Sequence, residues 1–365
     1  MNKKSVLLAM SGGVDSSVAA YLLKKKGYSV TGVTFKVWPK SNRGKEVLKN
    51  YYSSDVLRDA RQACRKLDIP HYVIDCAKEF KKKVITPFID SYKRSLTPNP
   101  CITCNERIKF PLLLKKAKET NARYISTGHY ARCGYNKRIE QFLIKEGKDK
   151  QKDQSYVLLG LNQDILSRLI LPIGDFKKEE IRLIAEELGL MSLHKKESQE
   201  ICFVEDNDLA EFLRKNLRKH IQPGYIKDKT GKILSQHSGT CFYTIGQRKG
   251  LRIPYGSPIY VTDINYKTGD VIIGDYNDTL KRRVNLSRVH WTIPLKPTQA
   301  VLRAKVKIRY RHDKAEALLN ILSSRSCEVV FTKPQNAPTP GQAAVFYKNN
   351  AVIGGGWIRY PVGGN

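Results

Sequence analysis

Short apolar runs alternate with helix-period segments through the first ~200 residues, the pattern of βαβ units around a parallel sheet. Val6–Met10 predicts a first strand and Val18–Lys26 a helix closed by Gly27. Tyr28–Phe35 and His71–Asp75 predict two more strands, with a one-faced apolar helix over Asp55–Leu67 between them. A helix near Lys78–Ser95, a strand at Arg123–Thr127 and a helix over Phe176–Leu188 follow. Lys40–Ser54 is polar and lacks apolar periodicity, which predicts a loop or lid. Beyond Glu205 the texture changes. Asp208–Leu217 reads as a helix, and then short β-like runs take over, separated by Gly, Pro, Asn and Asp. They are Thr240–Ile245, Pro258–Asp263, Asp270–Gly274, Val301–Tyr310, Cys327–Phe331 and Ala343–Tyr347, with turn signals at Lys267–Asp270 and Asn349-Asn350. The pattern reads as an α/β domain followed by one or two small all-β modules, the last a barrel; the division expected for the chain as a whole is an α/β domain over residues 1–204, a small linking domain over 205–284 and a β-barrel over 285–365.

The chain has 365 residues, 41% of them apolar and 27% charged, the composition of an ordinary globular protein with more than one core. No apolar stretch approaches the ~18 residues a membrane span needs. Lys3 and Lys4 ahead of Val6–Met10 imitate a signal peptide. The run is too short and passes straight into Ser11-Gly12-Gly13, so it reads as a buried strand and a cytoplasmic location is expected. Sixty-five Lys and Arg against 34 Asp and Glu leave a net charge of +31, and the excess falls on both sides of Glu205. Such a field attracts polyanions, nucleic acid above all; a general preference for Lys is the plainer explanation. Eight cysteines in an intracellular chain argue for reactive or metal-binding thiols rather than a disulfide scaffold.

Ser11-Gly12-Gly13-Val14-Asp15-Ser16-Ser17 lies between a predicted strand and a predicted helix. Paired glycines allow a tight turn whose amides converge on an anion, and the helix behind offers its positive end to phosphate. A Walker A loop requires Gly-Lys-Ser/Thr and a dinucleotide fingerprint requires Gly-x-Gly-x-x-Gly; the segment has neither. It resembles the SGGxDS loop of the PP-loop ATP pyrophosphatases. That resemblance implies a loop that cradles pyrophosphate, with Mg²⁺ offsetting its charge, and cleavage of ATP between the α and β phosphates to adenylate a carbonyl oxygen.

A second constellation is Thr97-Pro98-Asn99-Pro100-Cys101-Ile102-Thr103-Cys104-Asn105, where two prolines predict a rigid non-helical loop and a helix only after Pro111. Cys202 follows nearly a hundred residues later, in Ser198-Gln199-Glu200-Ile201-Cys202-Phe203-Val204. The C-x-x-C pair admits structural zinc, for which no second pair stands at finger spacing, or a redox pair, which ordinarily opens a helix. It also admits sulfur transfer with Cys202 as distal partner, since a thiolate is both nucleophile and persulfide carrier. Cys64, Cys76, Cys133, Cys241 and Cys327 sit in strand-like or apolar-periodic settings and read as buried small hydrophobes.

Further segments share one order along the chain: Ala9–Ser17, Asn99–Asn105, Thr127-Gly128-His129-Tyr130, Lys152-Asp153-Gln154-Ser155-Tyr156, Glu200-Ile201-Cys202-Phe203, Gly246–Gly250 and Thr339-Pro340-Gly341-Gln342. Together they resemble the bacterial tRNA-specific 2-thiouridylases across essentially the whole chain. The resemblance implies an ATP site at Ala9, Met10, Ser11, Gly12, Gly13, Val14, Asp15, Ser16, Phe35 and Gly128. It implies a catalytic thiol at Cys104, a persulfide-carrying thiol at Cys202, and a loop of Asn99, Pro100 and Cys101 that handles the target base. It further implies tRNA contacts at His129, Lys152, Asp153, Gln154, Arg309, Tyr310 and Gln342. The partners implied are tRNA and a sulfur donor; the reaction implied is ATP-dependent 2-thiolation of the wobble uridine. Cys101 stands where the best-known members have Asp. Cys101, Cys104 and Cys202 also resemble the ligand set of related thiolases that hold a [4Fe–4S] cluster, which leaves persulfide and cluster mechanisms both open.

Lys305-Val306-Lys307-Ile308-Arg309-Tyr310-Arg311 alternates basic and apolar residues, so a strand would carry a four-charge row on its outer face. Outward residues ~6.6–6.8 Å apart suit an RNA backbone, whereas the plainer roles are a solvated face or protection of a sheet edge. Two other functions share part of this pattern. A PP-loop ligase or amidotransferase acting on a small molecule shares the Gly-rich loop, and a non-catalytic RNA-binding protein holding a structural metal shares the basic surface and the C-x-x-C.

Overall fold

The computed structural model describes residues 4–38, 54–190, 201–295 and 300–360. The predicted lid Lys40–Ser54, but for its last residue, and Ser198–Glu200 lie outside these. The chain divides into two compact units. The first comprises Met1–Ile85, Pro100–Asn207 and Asn350–Val352; the second comprises Thr86–Asn99, Asp208–Asn349 and Ile353–Asn365. Among the described residues no helix is long and apolar enough to cross a membrane.

The first unit is built on β1 (Ser5–Ala9), α1 (Val14–Lys25), β2 (Ser29–Lys36), α2 (Ser54–Lys66), β3 (His71–Asp75) and β4 (Tyr124–Thr127). After these come a hairpin, β5 (Ala131–Asn136) with β6 (Gln141–Glu146), and a short β7 (Leu169–Ile170). β3, β2, β1, β4 and β7 form one sheet in that order, every pair parallel. Parallel strands are covered on both faces, which explains why β1 reads as an unbroken apolar run: Val6, Leu7 and Leu8 are all buried. Chain order reverses at β1, which has β2 on one side and β4 on the other, and open α/β sheets bind their ligands at such a switch point. Val18, Ala19, Leu22 and Leu23 of α1 share a core with Ile181 and Ala185 of the helix Lys178–Glu187. Each large aliphatic side chain buried there contributes about 1.5–3 kcal/mol.

The prolines of the cysteine segment do not hold it in a loop. Pro100 opens a helical run: α-helix over Pro100–Cys104, a π-helical turn over Asn105–Lys109, then α-helix over Phe110–Glu119. A proline at the first helical position sacrifices an amide that has no partner anyway, so it starts a helix as readily as it ends one. Pro111 offers no N–H to the preceding turn, and the ladder there widens, with Phe110 N–H donating to Asn105 O five residues back. Cys101 and Cys104 therefore lie on the opening turn of a helix, the setting that a redox-active C-x-x-C ordinarily has.

In the second unit, helices Thr86–Lys93 and Leu209–Leu217 meet through Phe88 and Phe212, whose rings stand edge to face at 6.1 Å. A four-stranded sheet contains β8 (Gly224–Asp228), β9 (Ile233–His237), β10 (Tyr260–Asn265) and β11 (Asp270–Gly274), in the order β10, β11, β8, β9. Thr240–Ile245 is not a strand. Its first residues, Thr240–Phe242, turn as a 3-10 helix closed by local bonds from Phe242 N to Gly239 O and Tyr243 N to Thr240 O. Six strands follow: β12 (Leu280–Trp291), β13 (Val301–Lys307), β14 (Ala315–Ser323), β15 (Ser326–Asn336), β16 (Ala343–Lys348) and β17 (Ala351–Ile358). They run β12, β15, β14, β13, β16, β17, and β12 pairs with β17 to close a barrel around Val306, Leu319, Val329, Phe331 and Phe346. Closure removes the exposed edges of the sheet. Residues 284 and 285, the expected junction, lie inside β12.

The four-charge row is shortened. β13 ends at Lys307, and Arg309 and Arg311 belong to the turn beyond it. Val306 and Ile308 still point inward, but Arg309 donates to Asn336 O at 3.2 Å and Lys305 pairs with Glu316 at 3.2 Å.

Candidate functional site: a phosphate loop and a thiol recess

Strand β1 delivers the chain to Met10, whose N–H donates to Val33 O and whose carbonyl accepts from Thr34 Oγ1 at 2.8 Å. Both bonds tie the start of the loop to β2, where Phe35 is buried. Gly12 then takes φ +71°, and a Cβ there would stand 2.9 Å from Val56 O and from Asp59 Cβ. Only glycine satisfies both the backbone angle and the space. Ser16 Oγ donates to Gly13 O (3.0 Å) and lies 3.2 Å from both N and Oγ of Ser11, which draws the loop closed. Ser17 N to Gly13 O, 3.2 Å, is the first intrahelical bond, so the amides of Val14, Asp15 and Ser16 precede the ladder. Three free amides, the positive end of the twelve-residue α1 and a compact turn make an anion cradle.

Gly128, at the end of β4, faces this helix start. A Cβ on it would come within 2.9 Å of Ser16 N and 3.0 Å of Asp15 C. The sequence-predicted residues Ala9–Ser16 and Gly128 are thus brought together at the switch point, with Phe35 on the neighbouring strand.

Asp15 reaches sideways out of the cradle. Its Oδ1 accepts from Tyr130 Oη at 2.7 Å and from Lys178 Nζ at 2.6 Å. Tyr130 ends the Thr127-Gly128-His129-Tyr130 segment but had no role assigned to it, and Lys178, 163 residues from Asp15, carries no motif of its own.

The three candidate thiols share another part of the same unit. Cys101 is exposed and Cys104 and Cys202 are half-exposed, yet surrounding protein mass pushes all three thiols above their ordinary range. That combination describes a recess that solvent can enter. Each of the three also feels Lys109, which opposes the rise, and Cys202 feels both Cys104 and Cys101. Phe203 anchors the Cys202 turn by packing edge-on against Phe80 at 5.9 Å. Lys109 is a residue the sequence reading missed; its signal was a cation five residues past Cys104, hidden by the π turn. Cys64, Cys76 and Cys327 are buried and pushed up to about 12, and Cys241 to about 11, as inert core thiols should be. Among the described residues, no group of three or more His, Cys, Asp or Glu side chains is placed to hold a metal ion.

Comparison with known proteins gives three consecutive matches. Family models described as the tRNA methyl transferase HUP domain, the tRNA methyl transferase PRC-barrel domain and the aminomethyltransferase beta-barrel domain match residues 4–206, 210–275 and 281–358. A tRNA-specific 2-thiouridylase MnmA from Acetivibrio thermocellus is 42% identical over 360 residues, 98% of this chain and 100% of the relative. Proteins of the same name from Clostridium beijerinckii and Clostridioides difficile are each 43% identical over 98% of this chain and 99% of their own length. The chain belongs to the tRNA-specific 2-thiouridylase family.

Within that family frame, the residues expected to touch tRNA differ in burial and in their partners. His129 is buried, with Nδ1 2.7 Å from Thr127 Oγ1 and its ring stacked on Phe110 at 6.0 Å. Burial, and then Lys109, hold its pKa well below the usual value, so its imidazole is neutral at pH 7. Asp153 is buried and accepts from Gly147 N, Ser155 N and Ser155 Oγ, its own pKa raised by burial. Gln154 Oε1 accepts from Tyr130 N at 2.9 Å, and Gln342 Nε2 donates to Thr97 O at 2.9 Å. Asp153, Gln154 and Gln342 thus hold backbone groups, whereas His129 is held by the Thr127 hydroxyl. Lys152, Gln154, Arg309, Tyr310 and Gln342 are all half-exposed, and Arg309 also donates to a backbone carbonyl, Asn336 O. Asn99 and Pro100 fall on either side of the division between the two units.

Proposed function

We propose that this chain is an ATP-dependent tRNA sulfurtransferase that replaces the C2 oxygen of the wobble uridine with sulfur. The carrying observation is the pairing of a phosphate cradle with three recessed thiols in a chain 42–43% identical, end to end, to proteins named tRNA-specific 2-thiouridylase. ATP lies with its phosphates on the amides of Val14, Asp15 and Ser16. The free oxygen Oδ2 of Asp15 is a hard donor suited to Mg²⁺, which shares its ligands between one or two carboxylates and the phosphates. Bound there, that ion would offset the charge of the pyrophosphate leaving group.

The uridine O2 attacks the α-phosphorus, pyrophosphate departs, and the poor leaving oxygen becomes part of AMP. A sulfur donor has by then loaded Cys202 as a persulfide. Its terminal sulfur attacks C2, and AMP leaves with O2. Cys104, as thiolate, attacks Cys202 Sγ, which forms a Cys104–Cys202 disulfide and releases the 2-thiouridine. An external dithiol restores both thiols.

Lys152, Arg309 and Tyr310 meet RNA directly, and Asp153 and Gln154 hold the loop that presents Lys152. The wobble base reaches the recess because single-stranded anticodon loops unstack at modest cost. The three matched segments read as three domains, joined near residue 204 and just ahead of β12.

Cys202→Ser tests the reading. The variant retains ATP and tRNA binding and forms no 2-thiouridine in nucleoside mass spectrometry; full activity would overturn the persulfide role.

A further inference from the structure

Asp15 stands at the second position of α1, beside the amides that receive phosphate, and one of its oxygens is occupied while the other is not. Tyr130 Oη and Lys178 Nζ both donate to Oδ1, at 2.7 and 2.6 Å. Among the described residues, Oδ2 makes no hydrogen bond or ion pair. Lys178 is 8% exposed, and its ammonium also lies 5.6 Å from the centre of the Tyr130 ring, so the two donors are packed against each other. A buried lysine needs a charge partner, and Asp15 supplies one here.

One loop sets both donors. Asp149 Oδ2 accepts from Lys178 N at 3.0 Å, and Glu180 caps the same helix start by accepting from Lys177 N. Asp149 Oδ1 accepts from Gln151 N and Lys152 N, which shapes the loop that ends in Gln154. Gln154 grips Tyr130 on both sides, its Oε1 accepting from Tyr130 N and its own N–H donating to Tyr130 O at 2.8 Å. Ile181 and Ala185, one and two turns beyond Lys178, pack in the core that α1 also enters. The position of the ammonium relative to the cradle is therefore fixed by carboxylate caps and by core packing together.

From this arrangement we infer that Lys178 and Tyr130 are positioning residues that lock the Asp15 carboxylate so that Oδ2 faces the divalent cation accompanying ATP. A carboxylate free to rotate would present either oxygen, or turn away, and would repel a triphosphate in every orientation that lacked the metal. Two donors on Oδ1 remove that freedom before the nucleotide arrives, which is preorganisation of a metal ligand. Charge balance serves the same end: Lys178 offsets Asp15 in the empty loop, so the carboxylate does not stand uncompensated beside the phosphate cradle. The inference rests on the ATP-site reading above and adds to it the two side chains that orient its metal ligand.

The test is equilibrium ATP binding as a function of Mg²⁺ concentration in the full-length chain, for wild type, Lys178→Met, Lys178→Arg and Tyr130→Phe, with melting curves to check folding. Losing a hydrogen bond to the carboxylate should raise the Mg²⁺ concentration for half-saturation about tenfold in Lys178→Met and about threefold in Tyr130→Phe. Lys178→Arg restores much of the wild-type midpoint, and ATP affinity in saturating Mg²⁺ returns to within about twofold in all variants. Mn²⁺ resonance spectra with ATP present should show the same ordering of metal affinity. Unchanged midpoints in folded variants would overturn the inference, as would a loss of ATP binding that no Mg²⁺ concentration repairs, since that would make the pair part of the loop's scaffold. Failure of the wild type to bind ATP would instead remove the ATP-site reading beneath it.

Discussion

Gly128 stands so close to the first turn of α1 that a methyl group on it would lie 2.9 Å from Ser16 N, 3.0 Å from Asp15 C and 3.1 Å from Asp15 O. All three are backbone atoms of the turn that carries the phosphate-facing amides, so they have no rotamer through which to retreat. The glycine is needed for proximity alone, since its own backbone angle is one any residue adopts. Gly128→Ala must therefore push β4 and α1 apart or tilt the helix start. We expect ATP affinity to fall at least about tenfold, with a stability loss of about 1–3 kcal/mol from overpacking. Calorimetric titration with ATP and Mg²⁺ would measure the first and thermal melting the second. A variant that binds ATP as wild type does would show that the cradle tolerates displacement.

The pH dependence of product release follows from the recess. Burial raises the Cys104 thiol above its ordinary 9.0, the neighbouring Cys101 adds to the rise, and Lys109 opposes it. A raised thiol pKa means that the thiolate fraction is small at neutral pH and grows about tenfold per pH unit until the pKa is passed. With enzyme preloaded with persulfide and adenylated substrate formed, single-turnover release of 2-thiouridine should thus climb continuously from pH 7 through about pH 9. Among the described residues Lys109 is the one cation that lowers the Cys104 pKa, so Lys109→Met should move the rise to still higher pH. A flat profile over that range would show that Cys104 is not the attacking group in the limiting step.

How much of this was readable in the sequence depends on the range of the forces involved. The strand–loop–helix around Gly12 is decided locally, by a glycine-only φ, a serine that closes on Gly13 and an apolar run before it, and the residues alone disclosed it. Pro100 misled because proline was read as a breaker, whereas its missing amide costs nothing at the first position of a helix. The basic row was cut short by something periodicity cannot contain: where β13 must end for the chain to turn into β14. Asp153 and Gln154 were expected to touch tRNA on the family resemblance alone. Their bonds to Gly147 N and Tyr130 N are tertiary facts that no local pattern discloses. Lys178 and Lys109 were invisible for the same reason, each being an unremarkable lysine until folding brings it to a carboxylate or to a group of thiols.

The shortened basic row makes a sharper claim about RNA than the full row did. On β13, Arg303 is exposed and forms no ion pair among the described residues, whereas Lys305 is engaged by Glu316 across the β13–β14 register. A lysine neutralised by its neighbour offers a phosphate little net charge, so the two cations should behave differently even though they lie two residues apart on one face. Arg303→Ala should weaken tRNA binding and lower the slope of log affinity against log salt by about 0.7–0.9, the loss of one phosphate contact. Glu316→Gln should do the reverse: freed from its partner, Lys305 becomes available, and both affinity and slope should increase by up to the same amount. A surface ion pair is worth at most about 1 kcal/mol, so the substitution should leave the barrel's melting temperature nearly unchanged. Filter binding or fluorescence titration of tRNA over a salt series would decide it. If both variants keep the wild-type slope, this face of the barrel does not meet RNA, and the positive charge that draws the substrate lies elsewhere on the molecule.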